Sequence, residues 1–222
     1  MISMYTGTPG SGKSLHVAKK IYDRVTQKKN NTVIANFEIE RKAIKDFKGH
    51  FYYLANNYLS PDFFYQYAVN KHVRKPDGKI VEGQTLIVID ECQIIFNSRD
   101  WNAKNRMDWV SFFTQHRKYG YHIILVTQFD RLVDRQIRSL VEYEIVHRNV
   151  SNFKTFGFLL GLLFGGNLFI AITKWYAAKE KMSQEYFVVR KKYTRIYDSY
   201  KIFEPRKAGN SKGAPPKLSK SL

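Results

Sequence analysis

Cysteine and acidic residues are both scarce in this 222-residue chain, and each shortage narrows what the protein is. Cys92 is the only cysteine, which excludes an intrachain disulfide and a cysteine-rich zinc site and fits a reducing compartment. Only 19 Asp and Glu residues oppose 37 Lys and Arg, and more than half of the net charge of +18 follows His147. This imbalance suits contact with nucleic acid or an anionic membrane face, and general solubilisation by lysine is an equal alternative.

Long apolar runs are also rare, and the N-terminus lacks a secretory signal. The first residues, MISMYTG, have no basic segment, apolar stretch and cleavage site, so we expect the N-terminal domain to remain in the cytosol. Residues 156–173 carry no charge and are just long enough to span a bilayer. Four glycines and Asn167 weaken that interpretation, and the alternatives are a glycine turn between a buried helix and a strand, or a surface-associated hairpin.

Strands and helices alternate along the chain, which predicts an α/β fold with a central, mostly parallel sheet flanked by helices. Apolar, β-branched runs over 85–89 and 122–127 are typical of buried parallel strands. Apolar residues at helical spacing predict helices over 13–26 and 107–118. The other predicted elements are strands over 2–5, 32–37, 143–147 and 168–176 and helices over 61–72 and 134–140.

The first predicted strand leads into a glycine-rich loop that matches the phosphate-binding loop of ATP-binding proteins. Residues 7–14 read Gly, four residues, Gly, Lys, Ser, and they lie between a strand and a helix as phosphate binding requires. Glycines let backbone N–H groups converge on phosphates, where the helix N-terminus adds positive partial charge. Lys13 is expected to reach the β- and γ-phosphates, and Ser14 to bind Mg²⁺. The expected nucleotide contacts are Gly7, Thr8, Pro9, Gly10, Ser11, Gly12, Lys13, Ser14 and Leu15.

Polar residues follow two of the buried strands. Because the carboxyl ends of parallel strands share one edge of a sheet, Asp90 and Glu91 should lie beside the phosphate loop. We expect Asp90 to hold Mg²⁺ through water and Glu91 to polarise the water that attacks ATP. Thr127 and Gln128 end the strand over 122–127 at the same edge, and either is a candidate for sensing the γ-phosphate, with Gln128 taken as catalytic.

An arginine commonly stabilises transition-state charge in phosphoryl transfer, and an oligomeric ATPase supplies it from a neighbouring subunit. Several arginines are candidates here, and a solvated or ion-paired surface role is the alternative for each. Arg117 is retained as the catalytic candidate. The full set is Arg99, Arg117, Arg131, Arg135 and Arg138.

The order and spacing of these motifs resemble the zonular occludens toxin-like (Zot) domain, a family shared with the gene I assembly ATPase of filamentous phages. The likeness is carried by the phosphate loop, by Asp90 and Glu91 followed by Cys92-Gln93, and by a stretch leading to Thr127-Gln128. It continues toward the C-terminus. The further stretches that carry it are 116–120, 137–142 and 197–203.

The resemblance implies an ATPase of the additional-strand P-loop class, related to DNA-pumping motors, with ATP and Mg²⁺ as cofactors. It implies action at the cytoplasmic face of the host inner membrane, where the family drives filamentous phage assembly and extrusion. The implied partners are further copies in a ring, phage coat proteins, and the inner membrane or a membrane-anchored assembly subunit. DNA contact through the basic surface is a further possibility.

Three regions follow from the sequence and the resemblance together. They are a P-loop ATPase core over 1–150, an apolar segment with a small C-terminal β extension over 151–204, and a basic, disordered tail over 205–222. Two other functions are alternatives to the motor. One is a nucleotide-dependent binding switch with little turnover, and the other is a small-molecule kinase.

Overall fold

One mixed, eight-stranded sheet organises the computed structural model, which describes residues 1–28, 30–99, 105–152 and 168–197. The strand order is β3-β2-β4-β5-β1-β6-β7-β8. Strands β3 through β6 run parallel, and β6, β7 and β8 are antiparallel neighbours. The strands are β1 Ile2–Thr6, β2 Thr32–Ala35, β3 His50–Tyr53, β4 Thr85–Ile89, β5 Tyr121–Val126, β6 Tyr143–Asn149, β7 Leu168–Trp175 and β8 Glu180–Val188.

Helices cover both faces of the sheet, as the sequence predicted. Their bounds are α1 Lys13–Gln27, α2 Pro61–Lys71, α3 Arg106–Gln115, α4 Arg135–Arg138 and α5 Lys191–Thr194. Helix α2 begins sharply because Ser60 caps it by accepting a hydrogen bond from the N–H of Phe63, with Pro61 at the first helical position. The predicted α/β fold with a mostly parallel sheet is therefore confirmed.

A separate hydrophobic core lies on each face. On one face, Phe64, Trp109 and Phe112 of helices α2 and α3 are fully buried against the sheet. On the other, Val17 and Ile21 of α1 pack on the sheet together with residues from β7, β8 and α5. Both faces of the central strands are thus withdrawn from water, which explains their continuous apolar sequences.

The apolar run at 156–173 does not form one membrane-spanning helix. Its last part, residues 168–173, belongs to β7, a strand that pairs with β6 on one side and β8 on the other. Residues 156–167 lie outside the described residues, as does the predicted tail over 205–222. Among the residues that the structure describes, no helix has the length and apolar character needed to cross a bilayer.

Two strands were not predicted. β3 has only four residues and an irregular burial pattern. β8 is an edge strand whose residues are mostly exposed, so its sequence lacks the apolar alternation that indicates a strand. The C-terminal β extension predicted from the resemblance consequently takes the form of two antiparallel strands added to the main sheet.

Candidate nucleotide-binding site

The loop between β1 and α1 has the backbone conformation that its glycines allow. Gly12 has φ +93°, and a Cβ atom there would lie 2.7 Å from Cδ1 of Phe169 on β7. Gly7 has φ +145°, and a Cβ there would lie 2.6 Å from the carbonyl oxygen of His147 on β6. Both positions therefore require glycine, because a side chain would be strained and would also collide with the neighbouring strands.

This loop fits a phosphate group. The N-cap of α1 is Gly12, which has no side chain to accept hydrogen bonds from the first helical turn. The Oγ atom of Ser11 is buried inside the loop without a hydrogen-bond partner. Thr8, Pro9 and Gly10 are exposed at its mouth. Free backbone donors, an unpartnered hydroxyl and the helix dipole together favour an anion at this point.

Lys13 supplies the cation of the site. Its Nζ donates to the carbonyl oxygens of Gly7 at 2.6 Å and Thr8 at 3.1 Å, so the side chain folds back over the loop. Burial lowers the pKa of Lys13, and the nearby carboxylates of Glu91 and Asp90 act in the opposite direction. Strand β4 therefore delivers its two acidic residues within electrostatic reach of the loop lysine, as the sequence predicted.

Asp90 is held in place through both its side chain and its backbone. Its Oδ1 accepts from the N–H of Glu91 at 2.9 Å, and its Oδ2 accepts from the hydroxyl of Tyr197. Burial raises the pKa of Asp90, while the hydrogen bonds from Tyr197 and Glu91 lower it. The side chain of Asn36 bonds both the N–H and the C=O of Asp90, at 2.7 and 2.8 Å. The carboxylate consequently has a fixed orientation.

The donor set also suits Mg²⁺. Ser14 in the first turn of α1 and Asp90 after β4 offer a hydroxyl and a carboxylate, the oxygen ligands that Mg²⁺ prefers. Among the described residues, no three His, Cys, Asp or Glu side chains cluster as a metal cage. A site of one carboxylate, one hydroxyl and substrate phosphates is how Mg²⁺ is usually held beside ATP, so the residues present fit this ion.

Glu91 adopts an uncommon backbone conformation. Its φ of 47° and ψ of 45° place a non-glycine residue in the left-handed region, at a cost of about 1–2 kcal/mol. This turn ends β4 and starts the 3₁₀ helix Cys92–Ile94. The carboxylate of Glu91 accepts a hydrogen bond from Nε2 of Gln93. Strained residues of this kind are frequent at functional sites, and the turn redirects Glu91 away from the sheet.

Gln128 reaches the same edge from β5, which lies between β1 and β4 in the sheet. Its carbonyl oxygen accepts from the N–H of Gly7 at 3.1 Å, which fastens the phosphate loop to the end of β5. A cavity of about 480 Å³ opens beside the loop and is lined by Gly7, Thr8, Gln128 and Arg148 among others. The candidate sensor thus lies where the sequence predicted it.

Arg117 lies at the wrong edge of the sheet to act on the phosphate loop of its own chain. It precedes β5, whereas Gln128 follows that strand, so the length of the strand separates Arg117 from the site. Its guanidinium pairs with exposed Glu82, with 3.2 Å between Nη2 and Oε2. A catalytic role within one chain is therefore excluded, because the residue precedes a parallel strand instead of following it. A role in a neighbouring subunit stays a prediction.

Three residues near the site were not predicted from the sequence. Asn36 follows β2 and could have been found as a polar residue ending an apolar strand at the loop edge. Arg148 near the end of β6 lines the cavity and had the same signal. Tyr197 had no signal from spacing, since it lies 107 residues from Asp90 in the chain.

Fold and site together define a P-loop NTPase of the additional-strand type, because β5 separates the phosphate-loop strand β1 from the acidic strand β4. The chain belongs to the zonular occludens toxin (Zot) family, whose model matches residues 1–158. The resemblance seen in the sequence is therefore confirmed.

Gene 1 proteins of phages are relatives of this chain. That of Enterobacteria phage M13 is 30% identical over 142 residues, covering 64% of this chain and 40% of that protein. That of Enterobacteria phage I2-2 is 38% identical over 86 residues, covering 37% of this chain and 24% of that protein. The chain thus matches less than half the length of these relatives.

Solved structures share the fold. The N-terminal domain of zonular occludens toxin from Neisseria meningitidis superposes with a TM-score of 0.55 at 19% identity, covering 89% of this chain and 98% of that one. The ATPase domain of another protein of known structure gives a TM-score of 0.53 at 9% identity, covering 88% of this chain and 83% of that one. At these identities the likeness concerns architecture.

Proposed function

We propose that this chain hydrolyses ATP with Mg²⁺ and that the hydrolysis drives the assembly and extrusion of a filamentous phage. The observation that carries the proposal is the convergence of Lys13, Asp90, Glu91 and Gln128 at one edge of the sheet, around a loop that fits a phosphate. Membership of the Zot family supports the phage-assembly part of the proposal.

Each residue at this edge has a defined part in the proposed reaction. Lys13 exchanges the carbonyls of Gly7 and Thr8 for the β- and γ-phosphates when ATP binds. Ser14 and Asp90 hold Mg²⁺, which when bound neutralises charge on the phosphates. Glu91 orients the attacking water and accepts its proton. Gln128, linked to the loop through its carbonyl, responds to the γ-phosphate.

The location and partners that we propose are those of the family. The chain acts at the cytoplasmic face of the host inner membrane, as a ring of identical subunits that contacts coat proteins and either the membrane or a membrane-anchored subunit. A basic surface on β8 and α5 supports contact with anionic lipid or DNA. Its exposed cations are Lys181, Arg190, Lys191, Lys192 and Arg195.

Steady-state ATP hydrolysis by the purified protein tests the enzymatic part, with and without anionic liposomes and single-stranded DNA. Lys13→Ala should abolish turnover by removing the cation of the loop. Glu91→Gln should lower turnover by about 10²–10⁴-fold, the usual contribution of a general base, while nucleotide remains bound. The matched controls are Lys28→Ala and Glu82→Gln, exposed residues at the opposite edge of the sheet, which should hydrolyse ATP like the parent.

The outcomes separate the motor from its alternatives. Binding of ATP without turnover under every condition would contradict the motor and favour the nucleotide-dependent switch. Transfer of phosphate to a nucleoside or nucleotide acceptor, in preference to water, would indicate the kinase. DNA affinity that falls steeply as salt increases would support the basic surface as the DNA contact.

A further inference from the structure

Tyr197 joins the C-terminal segment of the described chain to the acidic residue of the nucleotide site. Its hydroxyl donates a hydrogen bond to Oδ2 of Asp90. Its ring stacks against Phe37, which follows β2, with 4.1 Å between the ring centroids and 35° between their planes. The tyrosine therefore approaches Asp90 from outside the P-loop core.

Packing on both sides fixes the position of this tyrosine. Tyr193 of α5 is buried and meets Tyr22 of α1 edge to face, at 5.6 Å between centroids. Ile196 is 1% exposed, and its carbonyl oxygen accepts from the N–H of Glu40 at 2.8 Å. The residue before Tyr197 is thus anchored by both its side chain and its backbone. The contact with Asp90 follows from the packing of the whole segment.

The hydrogen bond orients Asp90 without exhausting its capacity as a ligand. A carboxylate offers about four acceptor positions, two on each oxygen. The N–H of Glu91 occupies one position on Oδ1 and the Tyr197 hydroxyl occupies one on Oδ2. Each oxygen therefore keeps a lone pair for a water molecule of the metal. Asn36 meanwhile holds the backbone of Asp90, so the Tyr197 hydroxyl restrains the side-chain rotation that remains.

We propose that Tyr197 is a positioning residue, which holds the Asp90 carboxylate in the orientation that binds Mg²⁺ and so links metal binding to the C-terminal segment. This inference rests on the proposed Mg²⁺–ATP site. Partners that orient metal-binding groups typically change metal affinity by about 10–100-fold when they are removed. Displacement of the segment carrying Tyr197 would weaken metal binding in the same way.

The test compares Tyr197→Phe with the parent protein. The variant keeps the ring against Phe37 and loses only the hydroxyl, and its melting temperature verifies that it folds. The control is Tyr193→Phe, which removes the other tyrosine hydroxyl of this segment while retaining the ring against Tyr22. The measurements are binding of a fluorescent, non-hydrolysable ATP analogue across a Mg²⁺ titration and in EDTA, together with Mn²⁺ binding followed by electron paramagnetic resonance.

We expect Tyr197→Phe to need about 10–100-fold more Mg²⁺ for half-maximal tightening of nucleotide binding, with Mn²⁺ affinity reduced to match. Affinity in EDTA should equal that of the parent, because Tyr197 contacts Asp90 and not the phosphate loop. An unchanged or lower Mg²⁺ requirement in Tyr197→Phe, or an equal shift in Tyr193→Phe, would overturn the inference. These readouts do not require turnover, so failure of the proposed hydrolysis in the parent would be seen separately.

Discussion

Asn36 offers a demanding test of how the acidic end of β4 is built. Strands β2 and β4 pair in register through Ala35 and Val88, and the Asn36 side chain extends that pairing one residue further. Its Oδ1 accepts from the N–H of Asp90, and its Nδ2 donates to the C=O of Asp90 and to Oδ1 of Asn56. Asn36 is only 3% exposed, so water cannot readily replace these bonds.

The expected cost of Asn36→Ala follows from what it leaves behind. The substitution strands the N–H and the C=O of Asp90, and each unsatisfied buried group costs about 1–3 kcal/mol. The free energy of unfolding should therefore fall by about 2–5 kcal/mol, a large share of the roughly 5–15 kcal/mol typical of a domain. Asn36→Asp should be at least as harmful, because it turns the donor toward Asp90 into a second acceptor.

Urea denaturation followed by circular dichroism gives the change in stability, with the Asn57→Ala variant as an exposed control that should change by less than about 0.5 kcal/mol. Where the variant remains folded, its Mg²⁺-dependent nucleotide binding should also weaken, since the backbone under Asp90 is no longer fixed. A loss below about 1 kcal/mol for Asn36→Ala, with nucleotide binding unchanged, would refute this reasoning.

Two further predictions concern the loop and the buried histidines. Gly12→Ala should abolish nucleotide binding, measured by fluorescence titration, because the new methyl meets Phe169 and the φ of +93° disfavours alanine; parental affinity would contradict this. Burial lowers the pKa of His16 to about 2 and that of His147 to about 4, so the folded chain keeps both neutral where the unfolded chain protonates them. Their contribution to stability is complete above about pH 6.5 and should decline below it, by up to about 1.4 kcal/mol per pH unit for each. Urea midpoints at about pH 7.5, 6.5 and 5.5, on either side of the ordinary histidine pKa, check this, with exposed His50→Gln as the control; a flat profile would be inconsistent with neutral burial.

The parts of the site that follow directly from local sequence were predictable. The phosphate loop is set by glycines whose backbone angles few other residues adopt, and β4 is a buried strand marked by unbroken apolar sequence. Parallel strands also placed Asp90, Glu91 and Gln128 at one edge before any coordinates were known. These features are encoded within short stretches of chain.

Contacts between distant stretches were not predictable in the same way. The polar edge strand β8 has no apolar period, and the hydrogen bond between Tyr197 and Asp90 depends on how α5 packs against α1. Arg117 shows an error of a different kind. It was chosen as a cation close to other motifs in the sequence, although its position before β5 already indicated the far edge of the sheet.

The fate of bound nucleotide in Glu91→Gln tests the proposed hydrolysis most directly. Radiolabelled ATP is incubated with the parent and the variant in Mg²⁺, and the protein-bound nucleotide is recovered and separated by chromatography. We predict that the parent yields ADP, whereas Glu91→Gln retains intact ATP, because its loop and Asp90 still bind the nucleotide while the residue that activates water is missing. Recovery of ADP from Glu91→Gln at the parental rate would contradict the role of Glu91 and the mechanism built on it.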